Sequence, residues 1–234
     1  MGTETGEQLR EIALDFEGID GVVLAGGEIA DYPALAELIP SSALIVCADS
    51  GYRHCGPLGL TPGLLVGDFD SIDLPGGVLP PDIPTIPLSP YKNYTDSALA
   101  VEAAVERGCR SLLLAGMLGG RFDHSAANLQ TMAGCVNSGV GARISDGITH
   151  IFAAKAAETG ETHLLLPRRE GCYFSLLAWT HVCQSVTILG GMYPLDNYDL
   201  RSDEARAVSN EFLEGDVKIL FRSGLLLVTT TPKR

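Results

Sequence analysis

Two aspartates, Asp68 and Asp70, stand two residues apart in Gly67-Asp68-Phe69-Asp70-Ser71, directly after the apolar run Leu64-Leu65-Val66. In extended backbone, side chains at i and i+2 leave the same face, so both carboxylates project together from the end of a short strand. Like charges held that close resist ionisation unless a cation sits between them. Hard divalent cations such as Mg²⁺ take oxygen ligands and arrive with substrate phosphates, so the turn points to phosphate-handling chemistry. Other polar groups occupy comparable places: Asp49-Ser50-Gly51, then Lys92 with Thr95 and Asp96, then Gly119-Gly120-Arg121 with Asp123 and His124. Each has a plainer reading when taken alone. Asp49-Ser50-Gly51 suits a turn after a strand, and Thr95 or Asp96 suits a helix cap. Arg121 fits a solvated arginine after a tight turn, and His124 a structural hydrogen-bonder. Gly26-Gly27 lacks the remainder of a dinucleotide fingerprint, and no phosphate-binding P-loop is present.

These residues need a scaffold that brings them together. Up to about Asp146, short apolar runs alternate with helical patterns, the mark of βαβ units around a mostly parallel sheet. Strands are expected over 21–25, 43–48, 64–66 and 111–115, and helices over 34–38, 97–107 and 124–136. The proline-rich segment from Leu74 to Pro90 reads as an irregular connector whose Ile83, Ile86 and Leu88 dock on the core. In open α/β sheets, ligands sit at the carboxyl ends of the strands. Asp49 follows the second strand, Asp68 and Asp70 the third, and Arg121, Asp123 and His124 the fourth, so the polar groups converge on one edge.

Beyond Asp146 the pattern changes to short alternating strands over 149–152, 162–166, 172–177, 185–189, 217–221 and 225–229. Gly, Pro, Asn and Asp separate them, which predicts a small antiparallel sandwich or roll. The expected organisation is therefore an α/β domain over 1–146 and an all-β sandwich over 147–234.

The balance of 16 basic against 29 acidic residues, a net charge of −13, argues against nucleic-acid or anionic-membrane partners. The acidic N-terminal stretch has no apolar signal core, and no apolar run reaches membrane-spanning length, so a cytoplasmic location is expected. The six cysteines show no zinc-type spacing and read as reduced core thiols.

The blocks Asp49-Ser50-Gly51, Gly67-Asp68-Phe69-Asp70-Ser71, Lys92-Asn93-Tyr94-Thr95-Asp96 and Gly119-Gly120-Arg121-Phe122-Asp123-His124 resemble, in order and spacing, the catalytic blocks of the thiamine pyrophosphokinase family. Downstream, Thr187-Ile188-Leu189-Gly190-Gly191-Met192-Tyr193-Pro194-Leu195 and Ala207-Val208-Ser209-Asn210-Glu211 are similar to stretches of that family's vitamin-binding domain. The resemblance runs from about Gly21 to Thr230. Ser50 replaces a glycine and Asn93 an aspartate of the family pattern; neither change looks disabling.

The resemblance implies a Mg²⁺-dependent transfer of the pyrophosphoryl group of ATP to thiamine, in a homodimer whose active site lies between subunits. It implies Asp68, Asp70 and Asp96 as metal ligands, with Asp49, Ser50, Thr95 and His124 near the nucleotide. Lys92 and Arg121 would neutralise the transferred group, and Asp96 or Asp123 would accept the hydroxyl proton. Tyr193, Ser209 and Asn210 would bind thiamine. Two rival readings keep the same carboxylate edge or the same second domain: another Mg²⁺-dependent phosphotransferase or nucleotide hydrolase, and a non-catalytic thiamine-binding module.

Overall fold

The computed structural model describes residues 11–69, 81–89, 91 and 93–233. Asp70, Ser71 and Lys92 of the expected site lie outside these residues. The chain divides into two compact units, one of residues 16–153 and one of residues 11–15 with 154–233.

Strand β1 (Glu11–Ala13) belongs to the second unit. The first contains β2 (Gly21–Leu24), α1 (Tyr32–Glu37), β3 (Leu44–Ala48), a 3-10 turn (Asp49–His54), α2 (Cys55–Leu58), β4 (Leu64–Gly67), β5 (Thr85–Pro87), α3 (Asp96–Glu106), β6 (Ser111–Ala115), α4 (Phe122–Asn137), β7 (Gly141–Ser145) and β8 (His150–Lys155). Its strands lie in the order β8-β7-β6-β2-β3-β4-β5. Every pairing from β5 to β7 is parallel, and β7 pairs antiparallel with β8, so the sheet is mixed. Val22, Val23, Leu24, Leu112, Leu113 and Leu114 are wholly buried, as expected for parallel strands covered on both faces. Local chemistry starts two of the helices: Asp31 accepts the Ala34 N–H at 2.9 Å to cap α1, and Thr95 accepts the Ala98 N–H at 3.2 Å to cap α3.

From β2 the chain moves outward through β3, β4 and β5. It then crosses back past β2 to build β6 and β7 on the other side. The strand order therefore reverses between β2 and β6, the place where open α/β sheets leave a crevice at their carboxyl edge.

The second unit continues with β9 (Thr162–Leu166), β10 (Cys172–Ala178), β11 (Val182–Leu189), β12 (Tyr198–Arg201), β13 (Asn210–Glu211), β14 (Val217–Phe221) and β15 (Leu225–Pro232). Two strand sets occur, β1-β9-β14-β11-β12 and β13-β10-β15. Period-2 burial is clear in β9, where Thr162, Leu164 and Leu166 are buried, and in β14, where Val217, Ile219 and Phe221 are.

Three features depart from the expected elements, each because a partner distant in sequence decides it. The segment Gly141–Ser145 is a strand although Gly141, Arg143 and Ser145 break its apolar pattern, since it pairs with both β6 and β8. That β7–β8 pairing ties His150–Phe152 to the first unit, which extends to residue 153. Strand β1 pairs parallel with β9, Glu11 opposite His163, which assigns the N-terminal segment to the second unit. Within the connector, Ile83, Ile86 and Leu88 are half-buried, and Thr85–Pro87 adds a parallel edge strand against β4. Among the described residues, no helix is long and apolar enough to cross a membrane.

Candidate active site

A cleft of about 460 Å³ opens at the switch point of the first unit. Its walls come from the segments that leave β2 (Ala25 to Gly27), β3 (Ala48 to Ser50) and β6 (Gly116 to Arg121), and from the amino ends of α3 and α4. Of the residues singled out in the sequence, Asp49, Ser50, Thr95, Asp96, Arg121 and His124 all line it.

Close backbone approach makes the floor. The Gly27 N–H donates to Gly116 O at 2.7 Å, and a Cβ on Gly27 would collide with the carbonyls of Gly116 and Leu118. Gly116 adopts φ +65° with Ala25 O where its side chain would be, so only glycine fits at either position. The 3-10 turn after β3 supports this floor from one side. Arg53 donates to Gly26 O and, at 3.1 Å, to Gly27 O. His54 Nε2 lies 3.0 Å from Gly27 O. A carbonyl can only accept, so Nε2 carries the proton and Nδ1 accepts from the Tyr32 hydroxyl at 2.8 Å. His54 is buried. That burial, with Arg53 beside it, pushes its pKa below the ordinary 6.5 and keeps the ring neutral. Asp49 itself takes a left-handed φ of +45°, a conformation aspartate tolerates better than most residues.

One wall is the amino end of α3. Thr95 is its cap and Asp96 its first residue, where the helix dipole favours a carboxylate. At the amino end of α4, Arg121 grips Asp123 through two bonds: Nε to Oδ1 at 3.1 Å and a terminal nitrogen to Oδ2 at 2.6 Å. The Arg121 guanidinium holds the Asp123 carboxyl below the usual carboxylate range. Both side chains are exposed, and Asp123 is not among the cleft-lining residues. Asp68 is also outside the lining. It follows β4, whose last residue Gly67 abuts Asp49 so closely that a Cβ there would lie 3.1 Å from Asp49 Cα.

Among the described residues, no group of three or more His, Cys, Asp or Glu could hold a metal ion; Asp70 lies outside that set. The donors that do line the cleft, the carboxylates of Asp49 and Asp96 with the hydroxyls of Ser50 and Thr95, are hard oxygens of the kind Mg²⁺ prefers.

Sequence reasoning passed over four residues that shape this site. Tyr94 lines the cleft with its side chain 70% exposed. Ser97 and Asn128 line it too, and both are buried. His54 lies beneath the floor. Ser97 and Asn128 left a faint signal, as polar residues on otherwise apolar helix faces.

In the second unit, Tyr193 is 62% exposed and Asn210 only 1%. The Asn210 amide does not face solvent. Its Oδ1 accepts from Tyr193 N and Glu211 N, each at 2.9 Å, and its Nδ2 donates to Tyr193 O at 2.7 Å. Both polar atoms of the Asn210 amide thus bond the backbone of the turn that carries Tyr193. Ser209 is exposed in a left-handed conformation, φ +57°, two residues after Ala207 at φ +60°. Two such non-glycine residues in one short turn hold backbone strain of the kind that clusters at binding sites.

A switch-point cleft lined by carboxylates, hydroxyls and an arginine defines an α/β protein of the kind that binds a ligand at the carboxyl edge of its sheet. Comparison with known proteins narrows that class. Residues 35–144 match the family described as thiamin pyrophosphokinase, catalytic domain, and residues 161–226 match thiamin pyrophosphokinase, vitamin B1 binding domain. The chain is 26% identical over 208 residues to the thiamine pyrophosphokinase of Bacillus subtilis (strain 168), covering 88% of this chain and 95% of that protein. In fold it is similar to the crystal structure of thiamine pyrophosphokinase from Bacillus subtilis, with a TM-score of 0.80 at 24% identity over 92% of this chain and 99% of that one. It is also similar to the thiamin pyrophosphokinase from Candida albicans, with a TM-score of 0.74 at 15% identity over 96% and 93%. The chain belongs to the thiamin pyrophosphokinase family, an enzyme class of kinases.

Proposed function

We propose that the protein transfers the pyrophosphoryl group of ATP to the hydroxyl of thiamine, giving thiamine diphosphate and AMP, with Mg²⁺ as cofactor. The observation that carries this reading is the convergence of Asp49, Asp96 and Arg121 on one switch-point cleft inside the region matching the catalytic family. Asp68, Asp70 and Asp96 would hold Mg²⁺, with Asp49 beside them. When bound, the ion neutralises triphosphate charge, which is most of what phosphoryl-type transfer asks of a catalyst. Lys92 and Arg121 add positive charge around the transferred group. The glycine floor, supported by Arg53 and His54, lets phosphate oxygens approach backbone, while Ser50, Thr95 and His124 supply hydrogen bonds to the nucleotide.

The oxygen of the thiamine hydroxyl bonds to the β-phosphorus of ATP, the bond from that phosphorus to the α–β bridging oxygen breaks, and AMP leaves. The hydroxyl proton passes to a carboxylate. Asp96 and Asp123 are the candidates, and the Arg121 guanidinium lowers the basicity of Asp123.

Catalysis falls to the first unit and thiamine binding to the second. There Tyr193 presents its ring, Asn210 fixes that ring's backbone, and Ser209 presents a hydroxyl. The alternating burial of β9 and β14 supports packing of the second unit's strands as a sandwich. A cytoplasmic homodimer with its site between subunits completes the reading; sedimentation at micromolar concentration tests the dimer. Incubation of purified protein with Mg²⁺, ATP and thiamine tests the reaction. Equal amounts of AMP and thiamine diphosphate are expected. ADP or free phosphate as product would overturn the assignment in favour of another phosphotransferase or hydrolase, and thiamine binding without turnover would leave a binding module.

A further inference from the structure

The loop that carries Arg121 contains Gly119 at φ +82° and Gly120 at φ +62°, consecutive residues whose backbone has little intrinsic preference. Something beyond the loop must hold it. The Glu28 N–H reaches Leu118 O at 3.0 Å on the β2 side, and the Ser125 hydroxyl reaches Gly119 O at 3.3 Å. Toward α3 the connection is made through the Asn128 side chain of α4, which is 6% exposed. Its Nδ2 donates to Met117 O at 2.9 Å, and its Oδ1 accepts from the Ser97 hydroxyl at 2.7 Å. Ser97 in turn lies 3.1 Å from the Thr95 hydroxyl, which caps α3 by accepting the Ala98 N–H. With the Ser97 proton committed to Asn128, Thr95 donates to Ser97. All the hydrogen bonds then run one way, from Thr95 to Ser97 to Asn128 to Met117. Asp96 sits between the first two.

We propose that Asn128 is a positioning residue for the pyrophosphoryl transfer: it latches the amino end of α3, which carries Asp96, to the glycine-rich connection that carries Arg121, and so sets the separation of the anionic and cationic walls. An amide is required because it accepts on one side and donates on the other. A carboxylate of the same shape would oppose its own lone pairs to Met117 O. The latch rests on the function proposed above for its kinetic consequence, whereas its geometry does not.

Two variants test it. Asn128→Asp keeps the shape and removes the donor, and Ser97→Ala removes the hydroxyl from the relay at a milder site. Each should lower kcat by about 10- to 100-fold, the scale of a 1 Å misplacement of reacting groups, with the KM for thiamine unchanged. The double variant should be no worse than the more impaired single one, because both break the same relay, and Ser97→Thr should restore activity. Amide exchange should rise at residues 95–98 and 117–121 in both variants. A kcat unchanged per folded molecule, with only a lower melting temperature, would overturn the latch, as would losses that multiply in the double variant. A wild-type protein that makes no thiamine diphosphate, yet shows the exchange response, would retain the latch and remove the function it serves.

Discussion

The cleft of the first unit and the Tyr193 turn of the second use polar side chains in opposite ways. In the cleft, Asp49, Asp96 and Arg121 stand at the ends of elements and line the crevice. What is buried there, Ser97, Asn128 and His54, holds the displayed groups or the floor beneath them. In the Tyr193 turn the polar side chain, Asn210, is consumed by backbone, and what is displayed is an aromatic ring. Transfer of a charged group needs fixed charges at a crevice, whereas gripping a flat cationic ring needs a rigid face. The contrast fits the division proposed above between a catalytic and a recognition region.

The sharpest way to break that contrast is to remove a carboxylate. Asp68→Asn should lower kcat by about a thousandfold or more, the scale of losing a main electrostatic stabiliser, and leave the melting temperature within a few degrees. Near-normal turnover would take Asp68 out of the site. Next, Arg121→Ala should cost about a hundredfold in kcat/KM for ATP and release Asp123 toward ordinary carboxylate acidity. A rate profile against pH that keeps its acid limb unmoved in this variant would exclude Asp123 as a participating base.

On the recognition side, Tyr193→Ala should raise the KM for thiamine about tenfold with kcat within about twofold, since one ring contact is worth about 1 kcal/mol. Asn210→Ala should do the same while also costing about 1–3 kcal/mol of stability, because it orphans partly buried backbone groups of the turn; urea unfolding measures this. Should kcat collapse in either variant, the division of labour fails.

The smallest effect concerns the floor. His54 titrates below its ordinary 6.5 in the folded protein, so the unfolded chain binds the proton more readily. The stability from neutral His54 is complete above about pH 6.5 and drains as pH falls below it. Between pH 7 and 5.5 the melting temperature of the wild type should drop about 2–4 °C more than that of His54→Gln. Parallel curves would show that His54 does not titrate in that window.

Much of the site was legible because its signals are local. Thr95 caps α3 from three residues away, and Asp49 and Asp68 follow short apolar runs whose strand character needs no partner to be read. The helices expected over 97–107 and 124–136 occur as Asp96–Glu106 and Phe122–Asn137. What was not legible involves partners far apart. Arg143 faces Phe152 across a strand pair, Glu11 meets His163 from the other end of the chain, and Asn210 is claimed by Tyr193. In each case the residue's own neighbours suggest an answer that a distant contact overrides.

By itself, then, the sequence determined the inner strands β2, β3, β4 and β6 and the helices α3 and α4 of the first unit, the placing of carboxylates and an arginine after its strands, and the family likeness that names a substrate. Those properties depend on residue type and short spacing. Only the tertiary structure decided where the sheet reverses, that the cleft floor is made by glycines pressed against carbonyls, that Asn128 ties two walls together and that Asn210 supports a ring. Each of those depends on which backbone groups meet across long separations, and every buried polar group must find its partner there or forfeit its hydration.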